Sequence, residues 1–163
     1  MRVPDPVEQM SSSKQPNSHH CFVCGLNNPY GLRLTFFDNG DDQVWCEYTI
    51  PDHYQGFPGL AHGGVVAAIM DEVCGRTALI ADPSNLMMTA KMEVKYRIPV
   101  PTGQQLQITG RMTRSRGRLA WARGQLRLLD GRMAAEAILL LSALPKQFNM
   151  EDVLDDLGWT VYD

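Results

Sequence analysis

The chain has 163 residues, of which 44% are hydrophobic and 20% are charged, a composition typical of one globular domain. Its formal net charge of −3 argues against general nucleic-acid binding, which requires a basic surface. No apolar segment is long enough to cross a bilayer and no secretion signal opens the chain, so its four cysteines predict reduced thiols in a cytoplasm.

The first predicted region is polar. Residues 1–19 contain three prolines and a run of three serines, and they predict a flexible tail. One domain is expected over residues 20–145, with no internal repeat and no second domain. Residues 146–163 predict a C-terminal tail with a short surface helix, because its apolar residues recur at helical spacing.

Two cysteines lie in a short knuckle at the start of the domain. In residues 21–25, Cys-Phe-Val-Cys-Gly, the Cys-x-x-Cys spacing beside His19 and His20 is compatible with zinc. No second ligand pair follows at a typical spacing, since Cys46 and Cys74 stand alone. We therefore favour packed cysteines in a tight turn and expect no metal, with a zinc-knuckle interaction module as the alternative.

Two strands and a loop precede the longest apolar segment. Residues 32–37 and 44–50 predict strands joined by a hairpin turn at 38–42. Residues 51–61 contain two prolines and two glycines and predict a loop. Residues 63–80 predict a helix that is apolar on nearly all sides and is therefore buried.

Two carboxylates lie together within this helix, and burying an unpaired carboxylate is costly. Glu72 lies four residues before Arg76, so the two can pair across one helical turn. Asp71 has no such local partner, and this makes it the better candidate for a catalytic base or nucleophile. A hydrogen bond from a neighbouring loop is the structural alternative for Asp71.

The helix begins with His62, Gly63 and Gly64, which leave backbone N–H groups unobstructed at the helix N-terminus. Such donors can stabilise a carbonyl oxygen as it becomes an oxyanion. Asp71 follows Gly63 by eight residues, which is roughly 12 Å along a helix axis. Either the two residues do not cooperate, or Gly63 of one subunit meets Asp71 of the partner subunit in a two-fold dimer.

Four strands are predicted after the helix. They lie at residues 89–98, 105–113, 118–129 and 133–144, and the last is apolar on both faces and therefore central. Seven arginines lie between positions 111 and 132. A predicted turn contains the four residues Arg114, Arg116, Gly117 and Arg118. Guanidinium groups bind phosphate oxygens well, so this turn could bind phosphate. An equally good interpretation is that the arginines lie on a solvated face of the sheet.

This order of elements resembles the hotdog fold, an α+β fold in which a curved antiparallel sheet wraps around one long central helix. One motif of the chain resembles the active-site signature of hotdog acyl-CoA thioesterases: it consists of His62-Gly63-Gly64, six further residues and then Asp71. This group of thioesterases includes the phenylacetate-pathway enzymes and the human thioesterase-superfamily enzymes. The resemblance runs from about Cys21 to Leu144, and Tyr96 fits the motif that ends the strand after the helix.

The resemblance implies hydrolysis of the thioester of an acyl- or aryl-CoA. The N–H at Gly63 would polarise the carbonyl, and Asp71 of the partner subunit would attack it or activate water. Thr89 would lie near that water, and His62 would be structural. Gln55 is the nearest match to an upstream Asn or Gln of the family, one residue further from His62 than expected. Coenzyme A phosphates would meet the arginine turn.

The resemblance also implies a homodimer, with a tetramer as the larger assembly, and neither a cofactor nor a nucleic-acid or membrane partner. A non-catalytic acyl-CoA-binding protein of the same fold is the alternative, although such a protein would not need Asp71. The chain lacks the Gly-x-Ser-x-Gly sequence of serine hydrolases. His62 and Asp71 lie nine residues apart on one helix, a spacing that does not suit the dehydratases of this fold.

Overall fold

The computed structural model describes residues 12–163. They form one antiparallel sheet and two α-helices, and 3-10 turns lie at Asp52–Tyr54 and Arg76–Leu79. The helices are α1 (Gly63–Gly75) and α2 (Met150–Leu157). The strands are β1 (Ser13–Lys14), β2 (Phe37–Asp38), β3 (Gln43–Thr49), β4 (Met87–Tyr96), β5 (Gln105–Arg116), β6 (Leu119–Leu128) and β7 (Met133–Ala143).

The strand order in the sheet is β1-β2-β3-β5-β6-β7-β4. α1 packs across β5, β6, β7 and β4, and two glycines let the sheet approach it closely. A Cβ atom at Gly110 would lie 2.6 Å from the carbonyl oxygen of Val73, and one at Gly124 would lie 2.8 Å from Cys74 Sγ. β4 pairs only with β7 among the described residues, so its other side is a free edge ten residues long.

The core lies between α1 and the sheet. The buried residues of α1 recur at helical spacing, which turns one face of the helix inward; they are Val66, Ile69, Met70, Val73 and Cys74. Ile69 is fully buried, so truncating it to alanine would cost about 2–5 kcal/mol of stability. No helix in residues 12–163 is both long and apolar enough to span a membrane.

Two predicted elements differ in the structure. The α-helix ends at Gly75 rather than at residue 80, because the Thr77 hydroxyl donates to the Cys74 carbonyl at 2.7 Å and the chain tightens into a 3-10 turn. The strand expected over residues 32–37 is reduced to β2. Arg33 has a φ of 56°, which interrupts an extended strand before β2.

The expected flexible tail over residues 1–19 is wrong for residues 12–19, and residues 1–11 lie outside the described part. Ser13 and Lys14 form β1, which pairs with β2. Asn17 is buried, and its amide donates to the carbonyl oxygens of Cys24 and Leu34 at 2.8 Å each. A polar residue that satisfies its hydrogen bonds internally can be buried, so polar composition alone does not make a tail.

The C-terminal segment contains the short helix expected there. Asn149 caps α2 by accepting a hydrogen bond from the backbone N–H of Glu151, and Gly158 ends the helix in the left-handed region. Beyond α2, Thr160 forms an antiparallel bridge with Asn17. The N-terminal and C-terminal segments are therefore hydrogen-bonded to each other.

Candidate active site

The carboxylate of Asp71 is held by a side chain from the sheet. Asp71 lies in α1 and is half-buried, and Thr89 on β4 donates its hydroxyl proton to Asp71 Oδ1 across 2.6 Å. The second oxygen, Oδ2, has no hydrogen-bond partner among the described residues. The carboxylate is therefore oriented by one oxygen and keeps the other for a water or a substrate atom.

Asp71 and Thr89 line a cleft of about 350 Å³. Its walls come from three parts of the chain: the N-terminal knuckle, the end of α1 with the start of β4, and the C-terminal segment. The lining includes Cys21, Cys24, Glu72, Met88, Leu157 and Trp159. Thiols, carboxylates and apolar side chains are thus combined in one cleft.

The start of α1 offers one free backbone donor. His62 caps the helix, and its Nδ1 accepts a hydrogen bond from the Gly64 N–H at 2.9 Å. The Gly63 N–H has no partner among the described residues. Of the two glycines, Gly63 is therefore the one whose N–H can bind a carbonyl oxygen, and the exposed helix N-terminus favours negative charge there.

Tyr96, at the end of β4, fixes the start of α1 to the sheet. Its hydroxyl donates to the Gly63 carbonyl oxygen at 2.6 Å. Tyr96 and Gly63 line a second cleft, of about 540 Å³, whose other lining residues include His62 and Phe57. The sequence did not mark Tyr96 as a site residue, because nothing local indicates that its hydroxyl reaches α1.

The two clefts share no lining residue. Gly63 borders one and Asp71 borders the other, about 12 Å apart along α1 by helical rise. Thr89 near the start of β4 contacts Asp71, and Tyr96 at the end of β4 contacts Gly63. One chain therefore carries the Gly63 N–H and the Asp71 carboxylate in two separate clefts along the free edge of the sheet.

Gln55 lies in the loop that precedes α1. Its side-chain oxygen accepts a hydrogen bond of 3.3 Å from the Gly59 N–H, and its backbone bridges to Ala61. Gln55 lines neither of the two clefts. In this structure the Gln55 side chain is therefore hydrogen-bonded within its own loop.

The arginine turn joins β5 to β6, with Gly117 at a φ of 58°. Arg114 stacks over the Trp121 ring at 4.9 Å, and Arg118 donates to the Leu144 carbonyl oxygen at 2.8 Å. Arg116 is exposed and makes no side-chain hydrogen bond among the described residues. It is therefore the arginine of this turn that is most available to a phosphate.

The arginine turn lies at the Thr89 end of the sheet. Leu119 pairs with Ser142 on β7, and Ser142 pairs with Met88 on β4. Neighbouring strands are about 4.8 Å apart, so the turn is roughly 10 Å from the start of β4 along the sheet. This places the free guanidinium on the same side of the molecule as Asp71.

Glu72 forms the ion pair that its spacing predicts. Arg76 Nε donates to Glu72 Oε1 at 2.8 Å, and Arg76 is only 2% exposed. The Arg76 guanidinium lies between the rings of Phe36 and Trp159, at 4.4 and 5.2 Å. Burial raises the pKa of Glu72 to about 7, and Arg76 opposes that shift.

The two knuckle thiols lie beside Glu72. Cys21 Sγ is 4.0 Å from Glu72 Oε2, and hydrogen bonding from Cys24 lowers the pKa of Cys21 to about 6. The same hydrogen bond, together with burial, raises the pKa of Cys24. The sequence predicted only that these two cysteines pack in a tight turn. Their position beside the Glu72 carboxylate is a feature that only the structure reveals.

A sequence profile of the thioesterase superfamily matches residues 58–135, the stretch that carries Gly63, Asp71, Thr89 and Tyr96. Residues 58–135 therefore resemble the thioesterase superfamily. The α+β hotdog fold inferred from the sequence is confirmed, since an antiparallel sheet packs around α1 and solved superfamily members share this arrangement.

Three similar proteins illustrate the relationship. Acyl-coenzyme A thioesterase THEM4 of Rattus norvegicus is 30% identical over 95 residues, which are 58% of this chain and 37% of that protein. The solved superfamily protein RHA08564 has a TM-score of 0.69 at 28% identity, over 76% of this chain and 60% of that one. Protein smu.793 of Streptococcus mutans, solved with acetyl CoA, has a TM-score of 0.58 at 18% identity, over 64% and 82%, and establishes the fold alone.

Proposed function

We propose that this chain is an acyl-CoA thioesterase that hydrolyses the thioester of an acyl- or aryl-CoA. The observation that carries the proposal is the Asp71 carboxylate, held by Thr89 in a cleft, on the same helix as the free Gly63 N–H. The matched relative is named an acyl-coenzyme A thioesterase, and a structural neighbour was solved with acetyl CoA. The matched stretch covers 37% of that relative's length.

The proposal requires two subunits, because one carbonyl cannot reach Gly63 and Asp71 of the same α1. We place the two-fold axis on the free edge of β4, near Met92 and Glu93. Antiparallel pairing there brings Thr89 beside Tyr96 of the partner subunit. Since Thr89 holds Asp71 and Tyr96 holds the Gly63 peptide, this register also joins Asp71 to Gly63 of the partner subunit.

In the paired site the Gly63 N–H donates to the thioester carbonyl oxygen and stabilises its developing negative charge. Asp71 of the partner subunit then has two possible roles. It attacks the carbonyl carbon directly, or it takes a proton from a water molecule that attacks. In the water route Asp71 passes that proton to the coenzyme A sulfur as the carbon–sulfur bond breaks, which releases the acyl acid and the thiol. In direct attack coenzyme A leaves as the thiolate, and water then hydrolyses the acyl–Asp71 anhydride, which frees the acyl acid and supplies the proton to the sulfur. Arg116 supplies the cation for the coenzyme A phosphates.

The first test is thiol release from a panel of short, medium, long and aromatic acyl-CoAs. We expect release by the wild-type chain and none by Asp71→Asn, which keeps the shape of the side chain. Asp82→Asn is the matched control, because it makes the same change at an exposed site outside both clefts. Release that survives Asp71→Asn would refute the catalytic role. No release from any ester, with CoA esters still raising the melting temperature, would instead indicate a binding protein.

A further inference from the structure

The cleft beside Asp71 contains a group of metal-binding side chains that hydrolysis does not use. Cys21, Cys24 and Glu72 each offer one donor atom, and these three atoms lie within 4.8 Å of one another. We propose that the three residues bind one divalent transition-metal ion of the zinc class, with two sulfur ligands and one oxygen ligand. The sequence alone indicated only the two cysteines, and the third donor comes from a helix 51 residues further along the chain.

The distances fit such an ion. Zinc binds sulfur at about 2.3 Å and carboxylate oxygen at about 2.0 Å, so tetrahedral ligands lie roughly 3.5–3.8 Å apart. Cys21 Sγ is 4.0 Å from Glu72 Oε2. The other donor pairs lie within 4.8 Å, so the three atoms are within about 1 Å of the spacing that a tetrahedral zinc ion requires.

The knuckle backbone holds both sulfurs in place. The Val23 N–H donates to Cys21 Sγ at 3.4 Å, and Ser18 Oγ lies 3.5 Å from Cys24 Sγ. A Cβ atom at Gly25 would lie 2.3 Å from the Cys21 carbonyl oxygen, so only glycine permits this turn. Hydrogen bonds from outside the ligand shell orient ligand atoms and tune them, and both sulfurs have one.

Glu72 is oriented in the same way. Its Oε1 accepts from Arg76, which leaves Oε2 directed at the thiols. Two thiolates and a carboxylate carry three negative charges. A divalent ion and the buried Arg76 guanidinium together carry three positive charges, which balance them. A buried group of three anions is stable only when such compensation is present. The local charges therefore favour a cation at this position.

The three ligands all line the 350 Å³ cleft, so the fourth coordination position opens into it. Three protein ligands with one open position are typical of zinc sites that bind water or a small ligand. Asp71 is the chain neighbour of Glu72 and lines the same cleft. The ion would thus fix the N-terminal knuckle to α1 at the wall of the proposed catalytic cleft.

Cobalt titration of the full chain tests the proposal. Protein stripped of metal by a chelator under reductant receives Co²⁺, whose spectrum reports its ligands. We expect one equivalent to give sulfur-to-cobalt charge-transfer absorption and the intense visible bands of a tetrahedral ion, both reversed by one equivalent of Zn²⁺. Zn²⁺ should also raise the melting temperature, whereas Mg²⁺, which prefers oxygen ligands, should not. Wild-type protein without the charge-transfer absorption would overturn the proposal.

Variants identify the ligands. Cys21→Ser and Cys24→Ser should each remove the charge-transfer absorption or reduce it, and Glu72→Gln should weaken zinc binding at least tenfold. Cys74→Ala is the matched control, since it removes a thiol that is buried outside the cleft and should leave the spectrum unchanged. Circular dichroism confirms that each variant is folded. Full binding by folded Cys21→Ser and Cys24→Ser would assign the ion elsewhere and overturn the site.

Discussion

The hydroxyl of Thr89 donates a hydrogen bond of 2.6 Å to the carboxylate of Asp71, and this bond ties the free edge of the sheet to the middle of α1. A hydrogen bond to a charged group is worth about 1.5–3 kcal/mol. The Thr89 hydrogen bond fixes which oxygen of the Asp71 carboxylate is engaged and which is left without a partner among the described residues. The proposed catalytic carboxylate is thus positioned by a residue on the strand that we expect to form the dimer interface.

Replacing Thr89 by valine should lower kcat about 10- to 100-fold, because the isosteric side chain cannot orient Asp71. The Thr89→Ser variant keeps the hydroxyl and should retain most of the activity. Steady-state kinetics with a preferred acyl-CoA measure both variants. Equal kcat values for Thr89→Val and the parent would show that the bond does not contribute to the reaction.

Gly63→Pro should remove only the proposed oxyanion donor. Gly63 is the first residue of α1, where proline is tolerated, and His62 already has the extended backbone that precedes proline. We expect kcat/KM to fall about 10²- to 10³-fold, as for the loss of one oxyanion donor. Gly63→Ala keeps the N–H and places its Cβ 3.6 Å from the Tyr96 hydroxyl, an ordinary contact, so it should stay active. Inactive Gly63→Ala would point to packing instead.

Mixed dimers can distinguish a shared site from a site within one chain. Gly63→Pro and Asp71→Asn homodimers should both be inactive. Each mixed dimer then has one intact site, so random exchange should restore about a quarter of the wild-type activity. The measurement is thiol release after co-refolding equal amounts of the two variants. If both residues acted within one chain, no mixture would recover activity.

Arg116→Ala should raise KM for acyl-CoA about two- to fivefold, the size expected of an exposed ion pair. A short thioester without the coenzyme A phosphates should be affected less. Arg132→Ala is the control, because Arg132 is also exposed but pairs with Asp130 in the opposite hairpin. Equal effects on both thioesters would mean that Arg116 is only solvated.

Two glycines should respond to alanine in opposite directions. Gly110→Ala places its Cβ against the Val73 carbonyl, and overpacking of this kind costs about 1–3 kcal/mol. Gly75, at the end of α1, has open space around its Cβ position. Gly75→Ala should therefore stabilise the chain by up to about 1 kcal/mol through helix propensity. Urea denaturation measures both, and a stabilised Gly110→Ala would show that α1 lies further from β5.

The sequence predicts those elements whose residues repeat at a regular spacing. α1 and the four later strands follow from hydrophobic periodicity, and the pairing of Glu72 with Arg76 follows from helical spacing. Asp71 stands out because a buried helix gives it no local partner. These features depend only on near neighbours in the chain, which is why the residues alone reveal them.

Contacts between distant segments could not be predicted in this way. Thr89 and Cys21 reach α1 only because the sheet and the N-terminal knuckle fold against it. Residues 12–19 have the composition of a tail, yet Asn17 is buried because two carbonyl oxygens accept from its amide. Arg118 appears in the sequence as a phosphate ligand, whereas in the structure it binds the end of β7. Each of these contacts depends on a partner residue far away in the sequence, which no local pattern identifies.

Part of the wall of the Asp71 cleft comes from segments of the chain that lie far in sequence from the proposed reacting residues. Gly63, Asp71 and Thr89 lie within the stretch matched by the superfamily profile, whereas residues 18–24 and 157–159 lie outside it. The bridge between Asn17 and Thr160 joins those two outer segments. Under the proposed function, the outer segments would determine which acyl groups fit the cleft, while the reacting atoms stay in the matched stretch. A chimera that carries a relative's two outer segments would inherit that relative's preference.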